Sequence, residues 1–354
     1  MNALWRRIVP SVRQTLFIGA LSGAAGLVYA LHQGDMARIA ISLAVAQGVM
    51  IGVVISAFEV ALSVHQVRDW ISGLPFSAVL LFRTIIYTAV IVLVNIGMRP
   101  SHALASIERG DVFIYFVCFS FFVSLLLNFI VQTANLAGGQ TLLNFVTGRY
   151  HRPREEKRFV LFVDVVGSTT LAERHGSLFI HQFLDRIFRV LADPVVSHSG
   201  EVLGYIGDGM IVTWTEKAGS TGGRPLHCFC EMRAALQRSH KRFRQEFQSI
   251  PEVRGSLHFG SLIVGETGAL KRAIVFNGDV MNTAARLEES SRFVEGGFVA
   301  SHTAIQQFKG VLPCRLTTLG YLELRGRTQT VEAYGLGHRP ATGDEDDDAA
   351  KRNQ

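Results

Sequence analysis

Cysteine is scarce in this sequence: Cys118, Cys228, Cys230 and Cys314 are the only ones among 354 residues. Four thiols so widely scattered exclude a disulfide framework as the basis of the fold. Cys228-x-Cys230 has no second ligand pair nearby, which argues against a zinc site. The four read as reduced thiols, as in a cytoplasmic domain. Charge is scarce too, but only in one half. Residues 14–134 are mostly apolar, whereas residues 149–354 hold most of the acids and bases. The mean hydropathy, +0.26, is high for a soluble enzyme of this size. Together these features exclude a single soluble domain and predict a membrane half followed by a soluble half.

Four apolar segments are readable, about Thr15–Leu31, Ile39–Val64, Phe76–Met98 and Val112–Val131. Each approaches the roughly 20 residues that cross a bilayer. Three further spans follow the first, so it is not read as a cleaved signal peptide. Arg6, Arg7, Arg13, Arg68 and the cluster Arg149, Arg152, Arg154, Lys157 and Arg158 fall on one side, against Arg38, Arg99 and Arg109 on the other. The positive-inside rule then puts both termini in the cytoplasm. Glu59 and Arg83 lie within or near spans on the same side and are expected to pair. His32, His65 and His102 flank the spans. They are read as ordinary interfacial histidines, with haem ligation the less favoured alternative.

The expected organisation is a four-helix membrane domain (1–135), a juxtamembrane connector (136–157), a soluble domain (158–337) and a solvated acidic tail (338–354). In the connector, Leu142, Leu143, Phe145 and Val146 suggest a short amphipathic helix ended by Gly148 and Pro153. In the soluble domain we expect a strand at Phe159–Val166 and a helix at about Thr170–Ser197. A hairpin follows, Glu201–Ile206 with Met210–Thr215, then a loop at "EKAGSTGGRP". A helix at Leu226–Gln248, a strand at Arg254–Val264 and a helix at Asp279–Ser291 come next. This is the α+β, ferredoxin-like split βαβ order.

"RFVLFVDVVGST", residues 158–169, buries an acid in an apolar run. A carboxylate there needs a cation. Gly167-Ser168-Thr169, at a helix start, offers N–H groups to an anion. Asp208 sits in the hairpin turn, and two carboxylates meeting at one sheet end would suit Mg²⁺ or Mn²⁺. Asn282 and Arg286, four apart, share a helix face and suit a ribose and a phosphate. Each feature alone is weak, since strand-end acids often cap and "GDG" is often only a turn. Their joint appearance in this order is much more specific.

With these motifs the chain resembles the class III adenylate/guanylate cyclases, over about residues 158–337. The stretches that carry the resemblance are "FVDVVGSTTLAE", "GEVLGYIGDGMIVTW", "GETGALKRAIVFNGDVMNTAARLEE" and "LGYLELRGRTQTVEAYGL". The multi-span anchor resembles that of bacterial members held in the inner membrane with a cytoplasmic catalytic domain. The resemblance implies two metal ions held by Asp164, Asp208 and the Val165 carbonyl. It implies transition-state roles for Asn282 and Arg286, and phosphate binding by Arg325 and the Gly167–Thr169 turn. It further implies ATP as substrate, a head-to-tail homodimer with shared sites, the lipid bilayer as environment and no nucleic acid partner. Gly204 and Val275 stand where adenine-selecting members usually carry hydrogen-bonding side chains, and the usual guanine-selecting residues are absent too, so a guanylate cyclase or a nucleotide-binding receptor stays open. No Gly-Gly-Asp/Glu-Glu-Phe turn is present, which argues against a diguanylate cyclase. No ligand for the membrane domain is read from the sequence.

Overall fold

The computed structural model describes residues 38–62, 74–98, 108, 110–137, 144, 147–270, 272–325 and 330–336. The chain divides into two compact units, Met1–Gly139 and Gln140–Gln354.

The described part of the first unit is helical: α1 (Arg38–Leu62), α2 (Phe76–Met98) and α3 (Gly110–Ala137). Helix α2 and the stretch Phe113–Thr133 of α3 are long and apolar enough to cross a membrane, while α1 holds a shorter apolar stretch, Val45–Glu59. The first expected span, the connector residues Leu142, Leu143, Phe145 and Val146, the histidines His32, His65 and His102, and the acidic tail lie outside the described residues. Glu59 pairs with Arg83 at 3.2 Å, and the Tyr87 hydroxyl donates to the same carboxylate. A charge on an apolar helix is thus matched by a neighbour. One face of α3 buries Ser120, Ser124, Asn128 and Gln132 at four-residue intervals, the small and polar residues that pack helices in lipid.

The second unit is built on a mixed sheet. Its elements are β1 (Arg154–Val165), α4 (Ser168–His175), α5 (Ser177–Ser197), β2 (Glu201–Ile206), β3 (Gly209–Thr215), α6 (Glu216–Ser220), α7 (Arg224–Phe247), β4 (Val253–Thr267), β5 (Ala273–Asn277), α8 (Asp279–Ser291), β6 (Phe298–Ser301), α9 (His302–Gln306), β7 (Leu316–Leu322) and β8 (Val331–Leu336). Among the described residues the strand order is β2-β3-β1-β4-β6-β8-β7, with β5 folded back on β4. The first four strands pair antiparallel, which is the expected split βαβ core. Strand β6 runs parallel to β4.

Period-two alternation sorts β1 between two layers. Phe159, Leu161, Val163 and Val165 pack with Phe183, Ile187 and Leu191 of α5 and Phe229, Met232 and Leu236 of α7. Val160 packs instead with Val280 and Ala284 of α8. Each large side chain buried this way contributes about 1.5–3 kcal/mol. The same alternation assigns Asp164 to the α8 side.

Three local expectations are corrected. The single helix expected at 170–197 is two, because Gly176 takes φ 87° and its N–H closes α4 on the Ala172 carbonyl at 2.9 Å. The expected loop "EKAGSTGGRP" begins as helix α6. Its N-cap, Thr215, accepts a hydrogen bond from the Ala218 N–H at 3.4 Å, the usual role of a capping hydroxyl. Gly219 is required there, since a Cβ would lie 2.3 Å from the Phe159 ring. Strand β1 begins at Arg154 rather than Phe159 and pairs with β4 from there on.

Candidate active site

The site forms where β1 ends. In register, Asp164 has Gly209 of β3 on one side and Arg254 of β4 on the other. Directly opposed residues on antiparallel strands point to the same face. The Arg254 guanidinium therefore reaches the Asp164 carboxylate, and its Nε donates to Glu288 Oε1 on α8 at 2.7 Å. All three side chains are largely buried.

Asp208 comes from the β2–β3 turn. Gly207 supplies the positive φ, 60°, that a tight hairpin needs. The Asp208 carbonyl accepts a hydrogen bond from the Val165 N–H at 3.3 Å, tying the turn to the end of β1. Gly167, left-handed at φ 73°, caps α4. Ser168 follows it and donates its hydroxyl to the Asp208 carboxylate. Thr169, next in the turn, is exposed.

The electrostatics are lopsided. Among the described residues, Asp164, Asp208 and Glu288 stand against the single guanidinium of Arg254. Burial, then the charges of Glu288 and Asp208, push the Asp164 carboxyl up to about 6, although Arg254 pulls the other way. Burial also works against the charge on Arg254, but its hydrogen bond to Glu288 and the field of Asp164 prevail and raise its pKa. Surplus negative charge on hard oxygens fits a divalent cation such as Mg²⁺ or Mn²⁺. Among the described residues no group of three or more His, Cys, Asp or Glu could hold a metal ion. Backbone or phosphate oxygens would have to complete the shell.

The other expected residues lie elsewhere. Val280, Ala284 and Leu287 form the buried face of α8, and Asn282 and Arg286 project from the opposite side. Asn282 is exposed and Arg286 half-buried. Among the described residues, no hydrogen bond or ion pair joins either one to Asp164 or Asp208. Gly204 lies at a register shift in β2, where a Cβ would meet nothing within 4 Å. Val275 is half-buried on β5, opposite Gly265. Arg325 is exposed beyond β7. Sequence reasoning missed Arg254 and Glu288. The available signal for Arg254 was one base at the start of a mostly apolar strand, "VRGSLHFG".

Comparison with known proteins bears on the family of the chain. A curated relative, adenylate cyclase 2 of Rhizobium meliloti (strain 1021), is 29% identical over 303 residues, covering 82% of each chain. Adenylate cyclase 1 of the same organism is 25% identical over 177 residues, 49% of this chain and 26% of that one. Among solved structures, a bacterial light-regulated adenylyl cyclase superposes with a TM-score of 0.52 at 19% identity, covering 60% of this chain and 64% of that one. At that identity the likeness concerns the fold alone. The profile described as "Adenylate and Guanylate cyclase catalytic domain" matches residues 151–337. That span is more than half of the chain and contains both carboxylates and the Asn282/Arg286 pair, so the chain belongs to the adenylate and guanylate cyclase catalytic domain family.

Proposed function

We propose that the chain is a membrane-anchored adenylate cyclase that converts ATP to 3′,5′-cyclic AMP and pyrophosphate. The observation that carries this reading is the meeting of Asp164 with Asp208 at the end of β1, in a site with surplus negative charge. The similarity to an adenylate cyclase over 82% of both chains supports ATP as the substrate.

Asp164, Asp208 and the Val165 carbonyl would hold Mg²⁺ or Mn²⁺, two ions per site, supplying activation of the ribose 3′-hydroxyl and charge neutralisation at the phosphates. Ser168 holds Asp208 in orientation through its hydroxyl. The N–H groups of Gly167–Thr169, at the start of α4, face phosphate oxygens, and Arg325 adds a positive charge for them. Asn282 orients the ribose, and Arg286 stabilises charge developing on the transferred phosphorus. Positioning and charge do most of the work, since phosphoryl transfer leaves the protein little covalent chemistry.

Asn282 and Arg286 project away from the sheet that carries their own chain's carboxylates. This favours a homodimer in which each site joins the carboxylates of one subunit to the Asn/Arg pair of the other. Helices α2 and α3, two further spans and the cytoplasmic arginine bias anchor the chain in a bacterial inner membrane with the catalytic domain in the cytoplasm.

Gly204 has no side chain and Val275 cannot hydrogen-bond, so neither position selects adenine, and guanylate cyclase is the second reading. One assay tests both. Full-length protein with Mn²⁺ is given ATP and GTP in parallel, and cyclic nucleotide and pyrophosphate are measured. Cyclic AMP as the main product supports the first reading. Cyclic GMP in excess supports the second, and no product from either nucleotide overturns both.

A further inference from the structure

Cys230 and Cys314 lie 84 positions apart in sequence, yet their sulfurs are 3.7 Å apart. Cys230 is on α7, and Cys314 is in the irregular stretch just before β7. Both are partly buried, unlike Cys228, which is fully buried in the main core. Two residues along a helix turn it by about 200°, so Cys228 and Cys230 face opposite ways. Burial pushes the Cys228 thiol up. Cys230 is lowered instead, first by its hydrogen bond with Cys314 and also by the charge of Arg233 one turn on, against the effect of burial. Cys314, sharing its hydrogen bond with Cys230, is pushed up. One sulfur of the pair is thus suited to attack, and its partner stays protonated beside it. A disulfide needs sulfurs at about 2.05 Å. Residues 310–315, which form neither helix nor strand, can supply that small approach.

We propose that Cys230 and Cys314 form an oxidant-responsive dithiol site, which a peroxide or a small-molecule disulfide converts to an intramolecular disulfide. The site does not rest on the cyclase reading. With hydrogen peroxide, the Cys230 thiolate attacks one oxygen and the O–O bond breaks. Hydroxide leaves, taking up the proton that Cys230 had released, and Cys230 becomes a sulfenic acid. The Cys314 sulfur then attacks the Cys230 sulfur, the S–O bond breaks, and the hydroxyl leaves with the Cys314 proton as water. Two thiols and one peroxide give one disulfide and two waters, with two electrons passing from sulfur to peroxide. With a small disulfide, the same two electrons release two small thiols. The cross-link closes a loop containing β4, β5, α8, β6 and α9. It ties α7 to the root of β7 and restricts the unfolded chain.

The test uses the full-length protein, reduced and freed of reductant, then exposed to a small excess of hydrogen peroxide. Thiols are counted after denaturation and alkylation, and cross-linked peptides are mapped by mass spectrometry. The four thiols should fall to two, with one cross-link joining Cys230 to Cys314, and dithiothreitol should restore all four. The cross-link should persist in Cys228→Ala. In Cys314→Ser it should be absent, with a sulfenic acid at Cys230 trapped by dimedone. Arg233→Gln should slow the peroxide reaction at neutral pH several-fold. Four thiols remaining after peroxide, a bridge through Cys228 or between two chains, or sulfinic acid at Cys230 without a bridge would each overturn the proposal.

Discussion

Arg254 and Asp164 sit opposite each other on β4 and β1, and the arginine closes on the acid although 90 positions separate them in sequence. Arg254 also holds Glu288, so it spans two carboxylates beside a third, Asp208. A metal ion at Asp164 and the guanidinium of Arg254 answer the same charge and should compete. Arg254→Gln should therefore lower metal-free stability by about 3 kcal/mol, because two buried acids lose their cation. The same variant should bind Mn²⁺ more tightly than the wild type. Denaturant unfolding in chelator and titration calorimetry with Mn²⁺ measure the two effects. Unchanged or weaker Mn²⁺ binding in the variant would show that Arg254 does not guard the metal position.

Asp164→Asn and Asp208→Asn each remove a ligand charge and almost no volume. Turnover should fall by two or more orders of magnitude in each, about what loss of several kcal/mol of transition-state stabilisation gives. Circular dichroism should be unchanged. Near-normal turnover in either variant at limiting Mn²⁺ would remove that residue from the metal site.

The sequence made part of this site legible and hid the rest for physical reasons. Local signals placed the two acids. An apolar run ending in Asp164-x-x-Gly-Ser-Thr marks a strand turning into a helix, and Gly207-Asp208-Gly209 marks a tight turn. Helix α8 was equally plain, since Val280, Ala284, Leu287 and Ser291 recur at helical spacing. Arg254 was hidden because its role depends on strand register, which a single chain does not display. Strand β5 was missed because "AIVFN" gains its ladder only by folding back on β4. Helix α6 was read as loop because its glycine suggests a turn, whereas the Phe159 ring is what requires that glycine.

The base of the catalytic unit holds a buried ion network with a clear acid dependence. Arg158 donates to Glu156 and to Glu201, both at 2.8 Å. Its third nitrogen donates to the Tyr150 hydroxyl at 3.0 Å, which in turn donates to Glu156 at 3.0 Å. Burial alone would raise the Glu156 pKa, but the hydrogen bond and charge of Arg158 prevail and lower it. A carboxyl lowered in the folded state stabilises above its ordinary value of about 4.3 and loses that contribution as pH falls through the folded value. Glu156→Gln should therefore cost about 1–3 kcal/mol at pH 7, and the gap to wild type should close as pH falls below the ordinary carboxyl range and through the lowered folded value. Unfolding free energies across pH 3–8 measure this. A gap that does not narrow at all as pH falls from 7 to 3 would mean that Glu156 acts through packing rather than charge.

Base discrimination should be modest. Gly204 has no side chain, and Val275 cannot hydrogen-bond, so the wrong purine leaves no dedicated polar partner unpaired at either position. Strong rejection requires such a partner. The ratio of kcat/KM for ATP over GTP should favour ATP but stay below about a thousandfold. A larger ratio would point to a recognition residue elsewhere, with Tyr205, exposed on β2 beside Gly204, the first to substitute.

The orientation of α8 leads to the most demanding test. If each site joins Asp164 and Asp208 of one subunit to Asn282 and Arg286 of the other, two different lesions can complement. An Asp208→Ala homodimer has two broken sites, and so has an Arg286→Ala homodimer. In the mixed dimer one site collects both lesions. The other takes its carboxylates from the Arg286→Ala chain and its Asn/Arg pair from the Asp208→Ala chain, so it is intact. Co-expression should therefore restore activity that neither variant has alone. With random pairing, half of the dimers are mixed and each has one working site, which sets a ceiling of about a quarter of wild type. Differently tagged chains, purified through both tags in sequence, isolate the mixed dimer and should raise that figure to about half. If mixed dimers form and remain inactive, the shared site is wrong. Asn282 and Arg286 would then have to reach the carboxylates of their own chain, which requires α8 to turn the face that carries them toward β1.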